Sequence, residues 1–316
     1  MIRLESLYVV AGLMFASFAV FNLLDRANPR RVINFVFWGV YAVTFLFGGV
    51  LPHFVMGCLA IALALIAGTG KLGRSPSAGE SGEAAMRREQ GARRFGNRLF
   101  IPALLIPAVT LVGTLTLKYV PFIETKNVTL ISLVLATLVA FAVALAMLRD
   151  SPTHALKGAR HTMDAVGWAA ILPQMLASLG AVFTLADVGK QVGIIASDYI
   201  PLDQPFEAVI VFCFGMAAFT AIMGNAFAAF PVMTAAIGLP LIVVKFHGNP
   251  AIMGAIGMLS GFCGTLTTPM AANFNVVPAA LLELPDKNGV IKAQLPTAGL
   301  MLIANMILMY CLAFRF

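Results

Sequence analysis

Six stretches of this chain, 6–24, 32–51, 99–117, 128–148, 208–244 and 293–314, carry no charged side chain. Each is about eighteen residues or longer, enough to cross a hydrocarbon layer roughly 30 Å thick as a helix. In lipid, only helices and closed barrels satisfy every main-chain amide without water. Composition closes the other route: 60% of the 316 residues are apolar and 11% charged, against roughly 45–50% and about 25% in soluble domains. So few charges cannot coat a soluble surface. The expected fold is therefore an all-α polytopic membrane protein with about ten transmembrane or re-entrant segments, broken helices falling in its C-terminal part.

A net charge of +7 would point to nucleic acid in a soluble protein, but here the basic residues gather in three loops. Arg26, Arg30 and Arg31 occupy the first; Lys71, Arg74, Arg87, Arg88, Arg93, Arg94 and Arg98 the second; Arg149, Lys157 and Arg160 the third. The alternate loops hold only Lys118, Lys126 and Lys190. Thirteen against three places the first set in the cytoplasm and the N-terminus outside. The first apolar run lacks a small-x-small cleavage site and ends in a basic loop, so it reads as an uncleaved span. Cys58, Cys213, Cys263 and Cys311 lie singly in apolar runs, with neither a disulfide framework nor a metal-ligand spacing.

The polar stretch 69–98 divides the chain. Residues 1–68 form three N-terminal spans (4–24, 32–50 and 54–68), residues 69–98 a flexible cytoplasmic linker too polar to fold alone, and residues 99–316 a C-terminal membrane domain. In that last part 99–117, 128–148, 165–184 and 206–224 read as spans, followed by the apolar segments 225–244, 250–264, 265–284 and 292–314.

Two interruptions there carry the most information. The first begins Gly224-Asn225 and reaches Pro231, with Pro240 beyond; the second runs from Gly264 through Thr265, Thr267, Thr268, Pro269, Asn273 and Asn275 to Pro278. A proline within a helix withholds an N–H from the carbonyl one turn earlier. A helix broken at membrane depth presents amides to an anion at one end and carbonyls to a cation at the other. Gly224, Pro231, Gly264, Pro269 and Pro278 accordingly read as helix breaks, and Asn225, Thr267, Thr268, Asn273 and Asn275 as substrate-binding groups. Gln174 and Ser178, four apart on one helical face, join that set as a site contribution or as an interhelical bond. No metal-ligand cluster occurs, but Na⁺ near Asn225 and Thr265 fits the free carbonyls. The competing reading is that Pro and Gly are frequent in membrane helices and that Asn and Thr tie helices together. Gly254, Gly257, Gly261 and Gly264 share another face, which reads as a close-packing surface.

Enzyme signatures are missing from the sequence: neither His-Glu-x-x-His, Gly-x-Ser-x-Gly, a P-loop nor a dinucleotide fingerprint occurs. No catalytic residue is expected. Asp187, Asp198, Asp203 and Glu207 read as a solvated external face, and His53, His154 and His161 as surface residues. The most apolar spans contain no acid, which favours Na⁺ or a neutral polar site over a carboxylate proton relay.

The segments ILPQMLASLG (171–180), MGNAFAAFPVMT (223–234) and GTLTTPMAANFN (264–275) resemble the bacterial permease family known as domain of unknown function 979, and the likeness extends over nearly the whole chain. The resemblance implies one subunit of a two-subunit secondary transporter in the bacterial cytoplasmic membrane, similar to the ion-transporter superfamily of carboxylate carriers. It also implies a second multispan subunit of the domain of unknown function 969 family, and 5-oxoproline as substrate. The expected function is thus a permease subunit for a small carboxylate, coupled to Na⁺ or H⁺, working with that partner or with copies of itself. The alternative is a structural or regulatory subunit whose partner carries the pathway. Nucleic acid is not among the expected partners.

The charge bias makes a direct prediction. A single cysteine introduced at Ser81 should resist an impermeant thiol reagent applied to intact cells, and one in the 118–126 loop should react; the reverse pattern would invert the topology.

Overall fold

The computed structural model describes residues 3–73, 82–199, 203–282 and 284–315. The chain is 81% helical and contains no strand among the described residues. Among the described residues, seven helices are long and apolar enough to cross a membrane, and three shorter apolar helices, Arg31–Leu46, His53–Gly68 and Pro250–Thr265, accompany them. The chain divides into two compact units at Gly167/Trp168, a boundary that composition does not mark.

In the first unit, α1 (Leu4–Leu24) and α2 (Arg31–Leu46) form an antiparallel pair. Gly12 seats Leu46 where a Cβ would collide at 2.6 Å. Between them the rings of Phe15 and Trp38 stack at 5.7 Å, with Tyr41 edge-on to Phe15 at 4.8 Å. Such aromatic pairs add directional contact where the hydrophobic effect is weak, because lipid tails are as apolar as the side chains. α3 (His53–Gly68) follows. α5 (Ile101–Thr116) and α6 (Val128–Leu148) make a second hairpin, closed where Gly113 lies against Ser132. α5 buries none of its residues within the unit.

Two polar stretches contain helices that the sequence reading did not anticipate. Within 69–98, expected as a flexible linker, α4 spans Gly82–Phe95 and carries an i,i+4 pair, Arg93 to Glu89 at 2.8 Å. The part between residues 74 and 81, including Ser81, lies outside the described residues. The basic loop expected before residue 165 is also largely helical: α7 covers Pro152–Val166, with Pro152 at its first position and the Ser151 hydroxyl accepting from the His154 amide at 3.2 Å. Both sequences alternate charge and small apolar residues at helical spacing, a pattern that favours an amphipathic surface helix.

α7 carries the most consequential feature of this unit. Asp164 is only 3% exposed. Its Oδ1 accepts from Trp38 Nε1 at 2.8 Å and from Asn22 Nδ2 at 3.2 Å, while Asn22 Oδ1 accepts from Asn34 Nδ2 at 3.2 Å. Asn34 in turn donates to the Gly73 carbonyl at 3.1 Å. Arg160, one turn before Asp164, holds Asp25 with two bonds of 3.0 Å and donates to the Phe21 carbonyl at 3.2 Å. One buried carboxylate thus ties α1, α2, α7 and the start of the polar stretch together. A buried acid stripped of these donors would be strongly destabilising.

In the second unit, α8 (Leu172–Leu185) and α9 (Val188–Tyr199) precede α10 (Pro205–Met223). α11 (Ala226–Met233) continues directly into a π-helix, Thr234–Lys245. α12 (Pro250–Thr265), α13 (Val276–Leu281) and α14 (Gly289–Ala313) complete it. The core is built from α10, the π-helix, α12 and α14 around Phe212, Met216, Met233, Ile237, Met253 and Met309. The glycine face of α12 is a packing surface: Gly257 receives Phe212, Gly261 receives Met216, and a Cβ on Gly264 would overlap the Ala217 carbonyl. α13 is only a six-residue helix, so 265–284 does not form a span.

Trp38→Phe, which deletes one donor to Asp164, should lower stability by about 1 kcal/mol, and Asp164→Ala by about 3 kcal/mol because it also strands Asn22 and unbalances Arg160. Thermal unfolding of the detergent-solubilised chain measures both. Equal melting temperatures for wild type and Asp164→Ala would remove the network from the stability of this unit.

Candidate functional site

α10 stops and α11 starts within two residues. Gly224 adopts φ +72, the left-handed conformation that closes a helix C-terminus, and its amide bonds the Thr220 carbonyl at 2.6 Å. Asn225 then caps α11, its Oδ1 accepting from the Phe227 amide at 2.9 Å. Glycine is required here twice over. Besides the positive φ, a Cβ would stand 2.7 Å from the main-chain carbonyl carbon of Met270.

Met270 belongs to the second interruption, a non-helical stretch from Leu266 to Asn275 between α12 and α13. Side chains serve its main chain. Thr265 Oγ1 donates to the Phe262 carbonyl at 2.6 Å, Thr267 Oγ1 to the Gly264 carbonyl at 2.8 Å, and Thr268 Oγ1 accepts from the Met270 amide at 3.2 Å. Asn275, fully buried, donates through Nδ2 to the carbonyls of Thr265 at 2.8 Å and Thr268 at 2.7 Å. It staples the two ends of the loop and supplies donors that the absent helix would have given.

The interruptions therefore touch backbone to backbone, and a cavity of about 310 Å³ opens where they meet. Gly224, Asn225, Thr265 and Asn273 give it polar character. Leu172 and Leu176 of α8 with Phe227, Phe262 and Phe274 form its apolar wall. Phe262 lies edge-on to Phe227 at 5.9 Å and tilted against Phe274 at 6.4 Å. An apolar pocket of this size with a few convergent polar groups is the usual form of a small-molecule site.

Of the residues expected to bind substrate, Asn225 and Asn273 line the cavity. Thr267, Thr268 and Asn275 do not: the two hydroxyls and the Asn275 Nδ2 are taken up in the loop frame. Gln174 and Ser178 share a face of α8 but do not line it, and the Ser178 hydroxyl turns back to the Gln174 carbonyl at 3.0 Å. Among the expected breaks, Gly224 and Pro269 sit in the interruptions. Pro231 lies inside α11, Gly264 inside α12, and Pro278 at the third position of α13, where the missing N–H has no helical carbonyl to serve. The oxygens expected to hold a cation are engaged elsewhere. Asn225 Oδ1 is used in capping and Thr265 Oγ1 bonds Phe262, whereas Asn275 Oδ1 and Thr220 Oγ1 are buried with no hydrogen-bond partner. Thr110, Thr114, Thr116 and Thr184 all bond back to their own helix. Thr220, fully buried, does not.

A family model described as protein of unknown function, DUF979, matches residues 5–314. The chain belongs to the DUF979 family. No curated protein and no solved structure matches it. Family membership thus agrees with the resemblance carried by the three sequence segments, all of which fall in the second unit of this DUF979 chain and two of which are its interruptions.

The acids assigned to a solvated face separate into different roles. Glu207 completes the cap of α10, its Oε2 accepting from the Asp203 and Gln204 amides at 3.0 Å each, and Asp203 stands 3.9 Å from Lys245. The Asp198 side chain lies outside the described residues. Asp187 falls at a turn between α8 and α9, at φ +50. Sequence reading gave it no special place because its flanking residues are those of an ordinary loop.

Gly224→Ala should destabilise this unit by roughly 1–3 kcal/mol from the left-handed strain alone, with the displaced Met270 adding to it. Thr267→Ala removes one capping bond and should lower stability by no more than about 1 kcal/mol. Unfolding midpoints in one detergent rank the two, and a Gly224→Ala protein as stable as wild type would mean that the interruptions do not touch.

Proposed function

We propose that this DUF979 protein is a subunit of a secondary transporter that moves a small carboxylate, 5-oxoproline being the first candidate, across the bacterial cytoplasmic membrane with its N-terminus outside. The observation that carries the reading is the meeting of two helix interruptions, some forty residues apart in sequence, around one cavity. Discontinuous helices at a shared site are the usual construction of secondary transporters. One helix end contributes at most about 2 kcal/mol to anion binding, whereas micromolar affinity needs about −8 kcal/mol. Asn225, Asn273 and the apolar wall supply part of the remainder, and a coupling ion the rest. H⁺ and Na⁺ remain the two candidates for that ion. Na⁺ would find neutral oxygen ligands at Asn275 Oδ1 and Thr220 Oγ1.

A second membrane subunit, of the domain of unknown function 969 family, is part of the proposal. α5 turns one apolar face outward, with Leu104, Leu111, Val112 and Leu115 all more than half exposed. Lipid covers such a face, and so does a partner's helix. The same feature supports the alternative of a structural subunit whose partner holds the pathway.

Uptake of radiolabelled 5-oxoproline by proteoliposomes, with and without the second subunit, separates these readings. Asn225→Ala should reduce uptake at least tenfold at unchanged membrane insertion, and Thr220→Val should weaken the dependence on Na⁺ if that ion is coupled. Normal uptake by Asn225→Ala, or uptake that needs only the partner, would favour the structural-subunit reading.

A further inference from the structure

A second and larger cavity of this unit, about 430 Å³, lies between α8–α9 and the helix formed by α11 and the π-helix. Three close approaches fix how those elements run. A Cβ on Gly180 would stand 2.7 Å from Ala228 Cβ, one on Gly189 2.8 Å from the Val232 carbonyl oxygen, and one on Gly193 2.8 Å from that of Ala236. The partners occur in the same order along both elements, so α8–α9 lies parallel to Ala226–Lys245. That helix of 20 residues has a mean hydropathy of 2.2 and is long enough to cross a membrane. The turn at Ala186 and Asp187 is therefore a third interruption, placed beside Pro231 and Val232.

Two charges stand at this interruption. Asp187 and Lys190 both line the cavity. Neither side chain makes an ion pair or hydrogen bond among the described residues. Both residues are exposed, and opposite charges that face an opening unpaired are left to water or to a ligand carrying both complements. The opposite wall adds acceptors: Pro240 has no N–H to give the carbonyl of Ala235, one π-turn earlier, and Ala235 and Pro240 both border the cavity.

We propose that this cavity is a binding site for a small amphoteric molecule, one carrying a carboxylate together with an ammonium or amide N–H. Lys190 takes the carboxylate; Asp187 and the Ala235 carbonyl take the N–H. The site is separate from the neutral cavity at the meeting of the first two interruptions. Its binding arm does not depend on the transporter reading.

Calorimetric titration of the purified full-length chain in lipid nanodiscs tests it with three probes: proline, which has both groups; cyclopentanecarboxylate, which lacks the N–H; and pyrrolidine, which lacks the carboxylate. Proline should bind at least tenfold more tightly than either. Lys190→Gln should abolish that advantage over pyrrolidine, Asp187→Asn that over cyclopentanecarboxylate, and Lys190→Arg should retain proline binding. Thr267→Ala, which removes only a bond to the Gly264 carbonyl outside both cavities, should leave all three affinities unchanged. Equal binding of the three probes, no binding of any, or full proline affinity in Lys190→Gln overturns the site. Loss of uptake alongside intact proline binding would count against the transporter reading and leave this site standing. Normal uptake with proline affinity insensitive to Lys190→Gln would do the reverse.

Discussion

An unpaired main-chain amide in hydrocarbon costs several kcal/mol, and this constraint governs where the chain can leave a helix. The departures at Gly224 and after α12 are covered by side chains that replace the missing helical partners. Asn225 bonds the amide of Phe227, and Asn275 bonds two carbonyls of the loop after α12. The threonines at 265 and 267 reach back to the last turn of α12. Polar residues that look like ligands in the sequence are thereby divided between those that hold the backbone and those left for another molecule. Only after that division do Asn225 and Asn273 stand out as lining groups and Asn275 Oδ1 as an unclaimed acceptor.

The first unit obeys the same rule with a charge in place of neutral amides. Asp164 is acceptable in its interior because Trp38 and Asn22 donate to it and Arg160 stands one turn away. Apart from Trp38, in the middle of α2, the groups bonded around Asp164 sit near helix ends: Asn22 close to the end of α1, Asn34 in the first turn of α2, Asp164 two residues before the end of α7. The network fixes helix ends against one another and holds Gly73 through Asn34, so the polar stretch leaves the unit from a defined point.

What could be read from the sequence follows from the range of the forces involved. Apolar periodicity and the glycine spacing of α12 are local, so the spans, the first interruption at Gly224 and the packing face of α12 were legible from residues alone. Asp164 was not, because its meaning depends on Trp38 and Asn22, more than a hundred residues away. Asp187 was hidden in a similar way: the residues around it resemble a loop, and only the contacts of Gly180, Gly189 and Gly193 with Ala226–Lys245, more than forty residues further on, set it beside that helix. Prolines misled in the other direction. Pro231 and Pro278 signal a break by chemistry, yet each occupies a helical position whose lost donor is tolerated.

Glycine explains why the interruptions can be joined at all. A broken segment has no continuous ridge of side chains to interlock with a neighbour, so its contacts must be made by the backbone itself, and those require the approach distances seen at Gly224, Gly189, Gly193 and Gly264. Such contacts bring carbonyls and amides of different segments within reach of one small molecule while leaving few bulky side chains in the way. They also lack the interdigitation that resists sliding. A helix pair held through glycine can shift along its axis with less loss of contact than one locked by large side chains. The arrangement that shapes the two cavities is thus the one that lets their walls move, and the proposed transporter role needs both.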